Sequence, residues 1–174
     1  SNTLGGAKTF DAQAGYESAM TMNAVLMAGA NYMWHSAGWN EAGMHCSIAK
    51  FIVDAEICEM GYRMAEGVNW DDFDVALSAI TDVGPGGHYL GHPHTLEHFQ
   101  KAFFMPEMFD NNSIEQWQAE GAIEINERAL KKAGMMLNEY EEPKLDEGVN
   151  EALLDYIARR EREIPAADAL NQEY

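Results

Sequence analysis

The stretch "ANYMWHSAGWNEAG", Ala30 to Gly43, decides the fold class. Its aromatic residues and the closing Ser-Ala-Gly read as a short buried strand over Asn31–Trp39 that runs into a loop. A helix precedes it. "DAQAGYESAMTMNAVLMAGA" opens with Asp11 as a cap, carries Tyr16, Met20, Ala24 and Met27 at helical spacing, and stops at Gly29. Helix, strand, loop is the order of an α/β unit. If "NYMWH" is only a buried connector, the same chain is an all-α bundle.

Downstream the pattern is helical. Ser47 to about Glu66 forms a long helix with Ile48, Phe51, Ile52, Ala55, Cys58 and Tyr62 as one apolar stripe, ended by Gly67. Asn69 caps a shorter helix whose Phe73, Ala76, Leu77 and Ile80 face inward. Thr95 caps another to about Phe103, which Pro106 breaks. Ser113 opens a long helix to about Met136, and a last one covers 148–163 before Pro165. A second, weak strand is expected at His88–Leu90. So few strands cannot satisfy their own backbone groups, which suggests that the partner strands lie upstream of this sequence. Ser1-Asn2 in place of an initiator Met, read as a cloning scar, points the same way.

The 174 residues fit one ordinary domain, with 47% hydrophobic residues to build a core. No run is long enough for a membrane span, and no leader pattern opens the chain. The net charge of -18 opposes a phosphate backbone, so nucleic-acid binding is disfavoured. Residues 138–174 hold eleven acids against four bases and read as an acidic helical tail, separate from a body of residues 1–137. Cys46 and Cys58 sit in or beside an apolar helix and read as reduced, buried thiols of a cytoplasmic protein.

Two constellations can carry chemistry. Around the Ser-Ala-Gly turn stand Tyr32, Trp34, His35, Trp39, Glu41 and His45. Aromatic faces attract a tertiary or quaternary ammonium, by about 0.5–2 kcal/mol each. Glu41 adds a full charge, and His35 is a candidate acid or base near neutral pH. The plainer reading is a strand face plus a hydrogen-bonded histidine. The second constellation is "GPGGHYLGHPHT", Gly84 to Thr95. Its glycines stand away from the next helix start and no Lys follows, unlike a phosphate cradle. His92, His94 and His98 have the spacing of a metal-dependent barrel hydrolase, but Pro93 opposes a regular strand there. A third reading is a nearly side-chain-free wall that a large flat ligand can approach.

"DAQAGYESAMTMNAVLMAGANYMWHSAG", "SIAKFIVDAEICEM" and "DVGPGGHYLGHPHTLEHF" together resemble the C-terminal third of the trimethylamine–corrinoid methyltransferase family, from about Gly5 to near Met136. The resemblance implies α/β architecture: a helix-rich C-terminal portion of a (β/α)8 TIM barrel, incomplete as a free-standing chain, since a barrel needs at least ~200 residues. It implies transfer of a methyl group from a methylated amine to the cobalt of a corrinoid (cobalamin) carried by a partner corrinoid protein. Archaeal members carry pyrrolysine, which this sequence lacks; members without it are taken to use quaternary amines such as glycine betaine or other substrates, so the donor is expected to be a tertiary or quaternary methylated amine, with trimethylamine itself disfavoured. Position then assigns Trp34, His35, Trp39 and Glu41 to the amine side, with His35 and Glu41 as the catalytic pair. Gly86, Gly87, His88, His92 and His94 are assigned to the corrinoid face, the two loops converging on one open hollow. Exposed barrel edges also predict a homo-oligomer.

Overall fold

The computed structural model describes residues 4–164. The chain divides into two compact units, one up to Asn138 and one from Glu139. In the first unit, α1 (Ala12–Met27) and α2 (Ile48–Glu66) are joined by a loop holding a two-residue β1 (Trp39–Asn40), a 3-10 turn (Glu41–Gly43) and β2 (His45–Cys46). Then follow α3 (Phe73–Val83), α4 (Pro93–His98), α5 (Ile114–Ala119) and α6 (Ile125–Asn138). The described part of the second unit contains α7 (Glu147–Glu163).

The helix starts are chemically ordinary. Asp11 accepts from the Ala14 N–H at 3.1 Å and Ser47 from the Lys50 N–H at 3.3 Å. Ser113 caps α5, and Asp146 accepts from Gly148 and Val149 at the start of α7. α1 packs on α2, and α2 packs on α6. Ala49, Val53, Met108 and Ala129 form the core there, with Phe10, Ile52, Ile57 and Ile125 against them.

The expected strand over Asn31–Trp39 is not formed. Tyr32 and Trp34 are 73% and 56% exposed, and pairing is confined to Trp39 with Cys46 and Asn40 with His45, antiparallel. A strand buries its side chains only when neighbours flank it, and among the described residues β1 has only β2. His88–Leu90 is irregular, with a bend at Tyr89 and a turn at Leu90, rather than strand. The long helix expected from Ser113 is two, because Gly121 and Ala122 take left-handed backbone at φ 100° and 52°. The cap of α4 is His92 rather than Thr95, with Pro93 in its first turn, and the helix ends at His98. Asp72 stands at the N-cap of α3, while Asn69 accepts from the Asp71 N–H in a local turn. Pro165 lies outside the described residues.

The inward faces also differ from expectation. α1 buries Ala14, Ser18 and Met22, leaving Tyr16, Met20 and Met27 exposed. α2 buries Lys50, Asp54 and Glu56, while Ile48, Phe51 and Tyr62 stay exposed. Lys50 Nζ donates to Ser18 Oγ at 2.8 Å and to Asp54 Oδ2 at 2.5 Å. The same Asp54 oxygen accepts from the Gly38 N–H at 2.9 Å. Glu56 accepts from the N–H groups of Glu107, Met108 and Phe109, three successive amides of one loop. A buried charge is tolerated when it is paired and hydrogen-bonded, as here.

Removing one half of the pair should leave the other charge buried alone. Asp54→Ala is expected to destabilise the first unit by about 3–5 kcal/mol, and the double change Lys50→Met, Asp54→Leu by much less. Denaturant unfolding followed by circular dichroism checks this. Equal losses for the two variants would show that the pair does not carry the packing.

Candidate functional site

The loop after α1 presents its rings as a chain of edge contacts. Tyr32 meets Trp34 at 5.8 Å between centroids, Trp34 meets His35 at 5.5 Å, and His35 meets Trp39 at 5.5 Å, with interplanar angles of 66–88°. The arrangement suits the positive edge of one ring against the negative face of the next. The Trp34 indole N–H donates to His35 Nε2 at 2.5 Å. A neutral His35 ring so engaged carries its proton on Nδ1. His35 has φ 59°, and Glu41 and Ala42 follow suit at 48° and 54°. Left-handed backbone at three side-chain-bearing residues in one loop is uncommon and costs about 1–3 kcal/mol each.

Three anchors hold this loop. Gly38 is tied to Asp54 from above, and its φ of 80° leaves no room for a side chain, since an added Cβ would lie 2.9 Å from Phe51 Cβ. Glu41 N–H donates to the Ala7 carbonyl at 3.0 Å, and Ala42 N–H to the Gly5 carbonyl at 2.8 Å. The Gly5–Ala7 segment is itself fixed by Glu17, which accepts from the Ala7 N–H at 3.1 Å. The Gln13 side chain and that amide hold the Glu17 carboxyl below its ordinary range. The Glu41 carboxylate lies 3.6 Å from His45 Nδ1, and both side chains are about half exposed.

The second loop begins where α3 ends at Gly84. Gly86 has φ 79°. Gly87 must lack a side chain, because a Cβ there would sit 2.7 Å from the Val83 carbonyl oxygen. Nothing stands within 4 Å of where a Cβ would be at Gly84, Gly86 or Gly91, so this main chain fronts open space. His88 is exposed. His92 accepts through Nδ1 from the His94 N–H at 3.2 Å, and its Nε2 lies 3.7 Å from Asp82. His94 and His98 stack, their centroids 4.5 Å apart.

His92, His94 and His98 therefore do not converge. Among the described residues no group of three or more His, Cys, Asp or Glu could hold a metal ion. Cys46 is exposed, against expectation, because β2 lies on the surface; Cys58 is half-buried and its Sγ reaches the Ser36 carbonyl at 3.9 Å. Of three hollows in the first unit, none is lined by both loops. One, of about 640 Å³, takes His94 and His98 together with Trp70, Asp72, Phe73 and Lys101, none of which the sequence reading named as binding residues. The available signal was "NWDDF", Asn69 to Phe73, where two aromatic residues flank two acids at a helix start. No helix among the described residues is long and apolar enough to cross a membrane.

Comparison with known proteins now gives the class. The trimethylamine methyltransferase (MTTB) family model matches residues 1–165. A glycine betaine methyltransferase of Desulfitobacterium hafniense (strain Y51) is 37% identical over 161 residues, covering 92% of this chain and 33% of the relative. A trimethylamine methyltransferase of another strain of that species is 29% identical over 160 residues, covering 92% of this chain and 32% of the relative. An L-carnitine:corrinoid methyltransferase of Eubacterium limosum is 30% identical over 142 residues, covering 80% of this chain and 29% of the relative. These are methyltransferases named for methylated nitrogen compounds. The chain belongs to the trimethylamine methyltransferase family. It spans about a third of the length of the curated relatives it matches.

The two thiols give a chemical check on the site's surroundings. Burial, followed by the nearby Asp54 and Glu59 carboxylates, pushes the Cys58 thiol up. Less thiolate forms at a given pH, so iodoacetamide at pH 8 should label Cys46 well before Cys58. Mass spectrometry of a labelling time course reads the order, and equal rates would mean that the α1–α2 packing around Cys58 is open.

Proposed function

We propose that the chain is the C-terminal portion of an enzyme that moves a methyl group from a tertiary or quaternary methylated amine to a corrinoid held by a partner protein. The observation that carries the reading is the ring series of exposed Tyr32 and Trp34 with part-buried His35 and Trp39, in the same loop as the Glu41 carboxylate, in a chain of this family. The names of the relatives supply the amine class and the corrinoid. In this reading the wider fold is a (β/α)8 barrel, and the setting is cytoplasmic.

Trp34 and Trp39 bind the ammonium through their faces, and Glu41 balances its charge. Each ring contributes about 0.5–2 kcal/mol, roughly 2- to 30-fold in binding. His35, held by the Trp34 indole N–H, sets the angle between the two indoles. The methyl group leaves without its bonding electrons, which stay on nitrogen and turn the cation into a neutral amine. Holding the C–N bond in line with the acceptor is the main task of the residues around it. The corrinoid, when bound, supplies the reduced cobalt that accepts the methyl group. The open main chain of Gly84, Gly86 and Gly91 fits a broad flat ring, which no side chain would hold off. Gly86, Gly87, His88, His92 and His94 would form the face toward it.

The chain also self-associates in this reading. Apolar side chains such as Tyr16, Met20 and Met27 are left on the surface of the first unit, where a second copy could cover them.

Two measurements test these statements. In the intact protein that carries this chain, supplied with glycine betaine and a cob(I)alamin-loaded acceptor, absorbance should report methyl transfer. Trp34→Ala and Trp39→Ala should each lower kcat/KM about 2- to 30-fold, while Trp34→Phe keeps most of it. Unchanged rates in both alanine variants would remove the rings from the site. The chain by itself should turn over no amine and should run above 19.4 kDa in light scattering; turnover or a monodisperse monomer would overturn the incomplete-barrel reading.

A further inference from the structure

The described part of the second unit is one helix with two unlike faces and two unlike halves. No residue of α7 is buried. At 3.6 residues per turn, Val149, Leu153, Tyr156 and Ile157 fall within about 100° of its circumference. Each of the four side chains stands about half exposed. Glu147, Glu151 and Asp155 lie on the other side. Charge also divides along the axis. From Asp146 to Asp155 there are four acids and no base; from Tyr156 to Glu163 there are three arginines and two acids. Asp146 and Arg160 stand at the two ends of the apolar sector and in line with it. Asp146 caps the helix through its Oδ1 alone. Arg160 Nη1 meets Glu163 at 2.7 Å, and a guanidinium has further N–H groups to offer.

We propose that α7 pairs with the α7 of a second copy of this chain, antiparallel, apolar sector against apolar sector. With the two helices crossing at the level of Asp155, Leu153 of each copy meets Ile157 of the other. Arg160 then reaches the Asp146–Asn150 end of the opposite helix. Charge selects this occupant and this direction. A parallel pair sets acids against acids and arginines against arginines, whereas an antiparallel pair sets the acidic half of each helix beside the arginines of the other. Their dipoles then oppose as well. A partner surface of one sign would match one half of α7 and repel the other half. A second copy carries the required order of charges when reversed, which is what a two-fold contact between identical elements needs. The proposal deepens the self-association read above by giving it a second surface, and it rests on none of the residues of α1 or α2.

The test is cross-linking of the full chain, with Cys46→Ser and Cys58→Ala as background and one new cysteine at a time, by a short bismaleimide. In the antiparallel pair the two copies of position 153 lie about 6 Å apart along the axis, and the two copies of position 149 about 18 Å apart. Leu153→Cys should therefore give at least fivefold more cross-linked dimer than Val149→Cys, and fivefold more than Asp155→Cys on the opposite face. Adding Arg160→Glu to Leu153→Cys should cut the yield at least fivefold, while Arg160→Lys keeps most of it. Circular dichroism of the two Arg160 variants shows whether the helix persists in both. Equal yields from Leu153→Cys and Asp155→Cys would overturn the proposal, and a Val149→Cys yield matching that of Leu153→Cys would overturn the antiparallel direction on which it rests. A chain that runs above monomer mass in light scattering with no cross-link at position 153 would place the association on the first unit alone; that result overturns the pairing of α7 and leaves the earlier reading standing.

Discussion

An ammonium and a carboxylate, buried together between two helices, hold the first unit in register. Lys50 is 1% exposed and Asp54 2%. Neither charge tolerates that burial alone, and an ion pair leaves donors and acceptors over that must also be met. Ser18 from α1 meets the ammonium, and the Gly38 amide meets the carboxylate. One pair thus fixes three things at once: the face α1 turns to α2, the height of the connecting loop, and the place where that loop bends. Hydrophobic contact would allow α1 to slide or rotate at small cost. A network with directional partners does not.

The ring series of the loop depends on that bend. Gly38 lies between His35 and Trp39, so the point tied to Asp54 sits in the middle of the aromatic row. On the far side the Gly5–Ala7 segment pins Glu41 and Ala42. Between two fixed points the backbone goes through left-handed turns at His35, Glu41 and Ala42, which an unanchored loop would relax. The strain is what keeps Trp34 and Trp39 on either side of one imidazole rather than collapsed into the core. Glu56 performs a similar service elsewhere, gathering three amides of the 107–109 loop so that Met108 reaches the core beside α6.

The sequence made the helices legible because their starts are local chemistry. Asp11 and Ser47 cap their helices as their side chains suggest, and Gly67 ends α2 with a left-handed residue. The inward faces were not legible, and for one reason. Hydrophobic spacing identifies a buried face only when the buried residues are apolar. On α2 half of the buried positions are charged, Lys50, Asp54 and Glu56 beside Ala49, Val53 and Gly61, and those three in isolation read as solvated. Their partners, Ser18, Gly38 and the amides of 107–109, lie 16 to 53 residues away and leave no periodic trace. The missing strand has the same origin. "NYMWH" has strand composition, but composition cannot supply the neighbouring strand that would make it one. The ring row and the bare glycine turn were legible as residue types, whereas the Trp70–Lys101 hollow was not, because its members come from three elements.

The apolar stripes that the sequence shows so clearly on α1 and α2 therefore need another account. Tyr16, Met20 and Met27 lie on the side of α1 away from its buried Ala14, Ser18 and Met22, and Phe51 and Tyr62 are likewise exposed on α2. Burying one such side chain is worth about 1.5–3 kcal/mol, so several left in water would make a poor solution for a chain that had only its own core to complete. A helix apolar on one side and joined to its neighbour by buried charge on the other is suited to being covered on both. The chain spans a third of its relatives' length, and the exposed stripes are of the kind that either further polypeptide or a second copy would cover. The buried ion pair and its partners fix how α1 meets α2 and where the aromatic loop bends, while the apolar stripes leave the opposite faces of both helices uncovered.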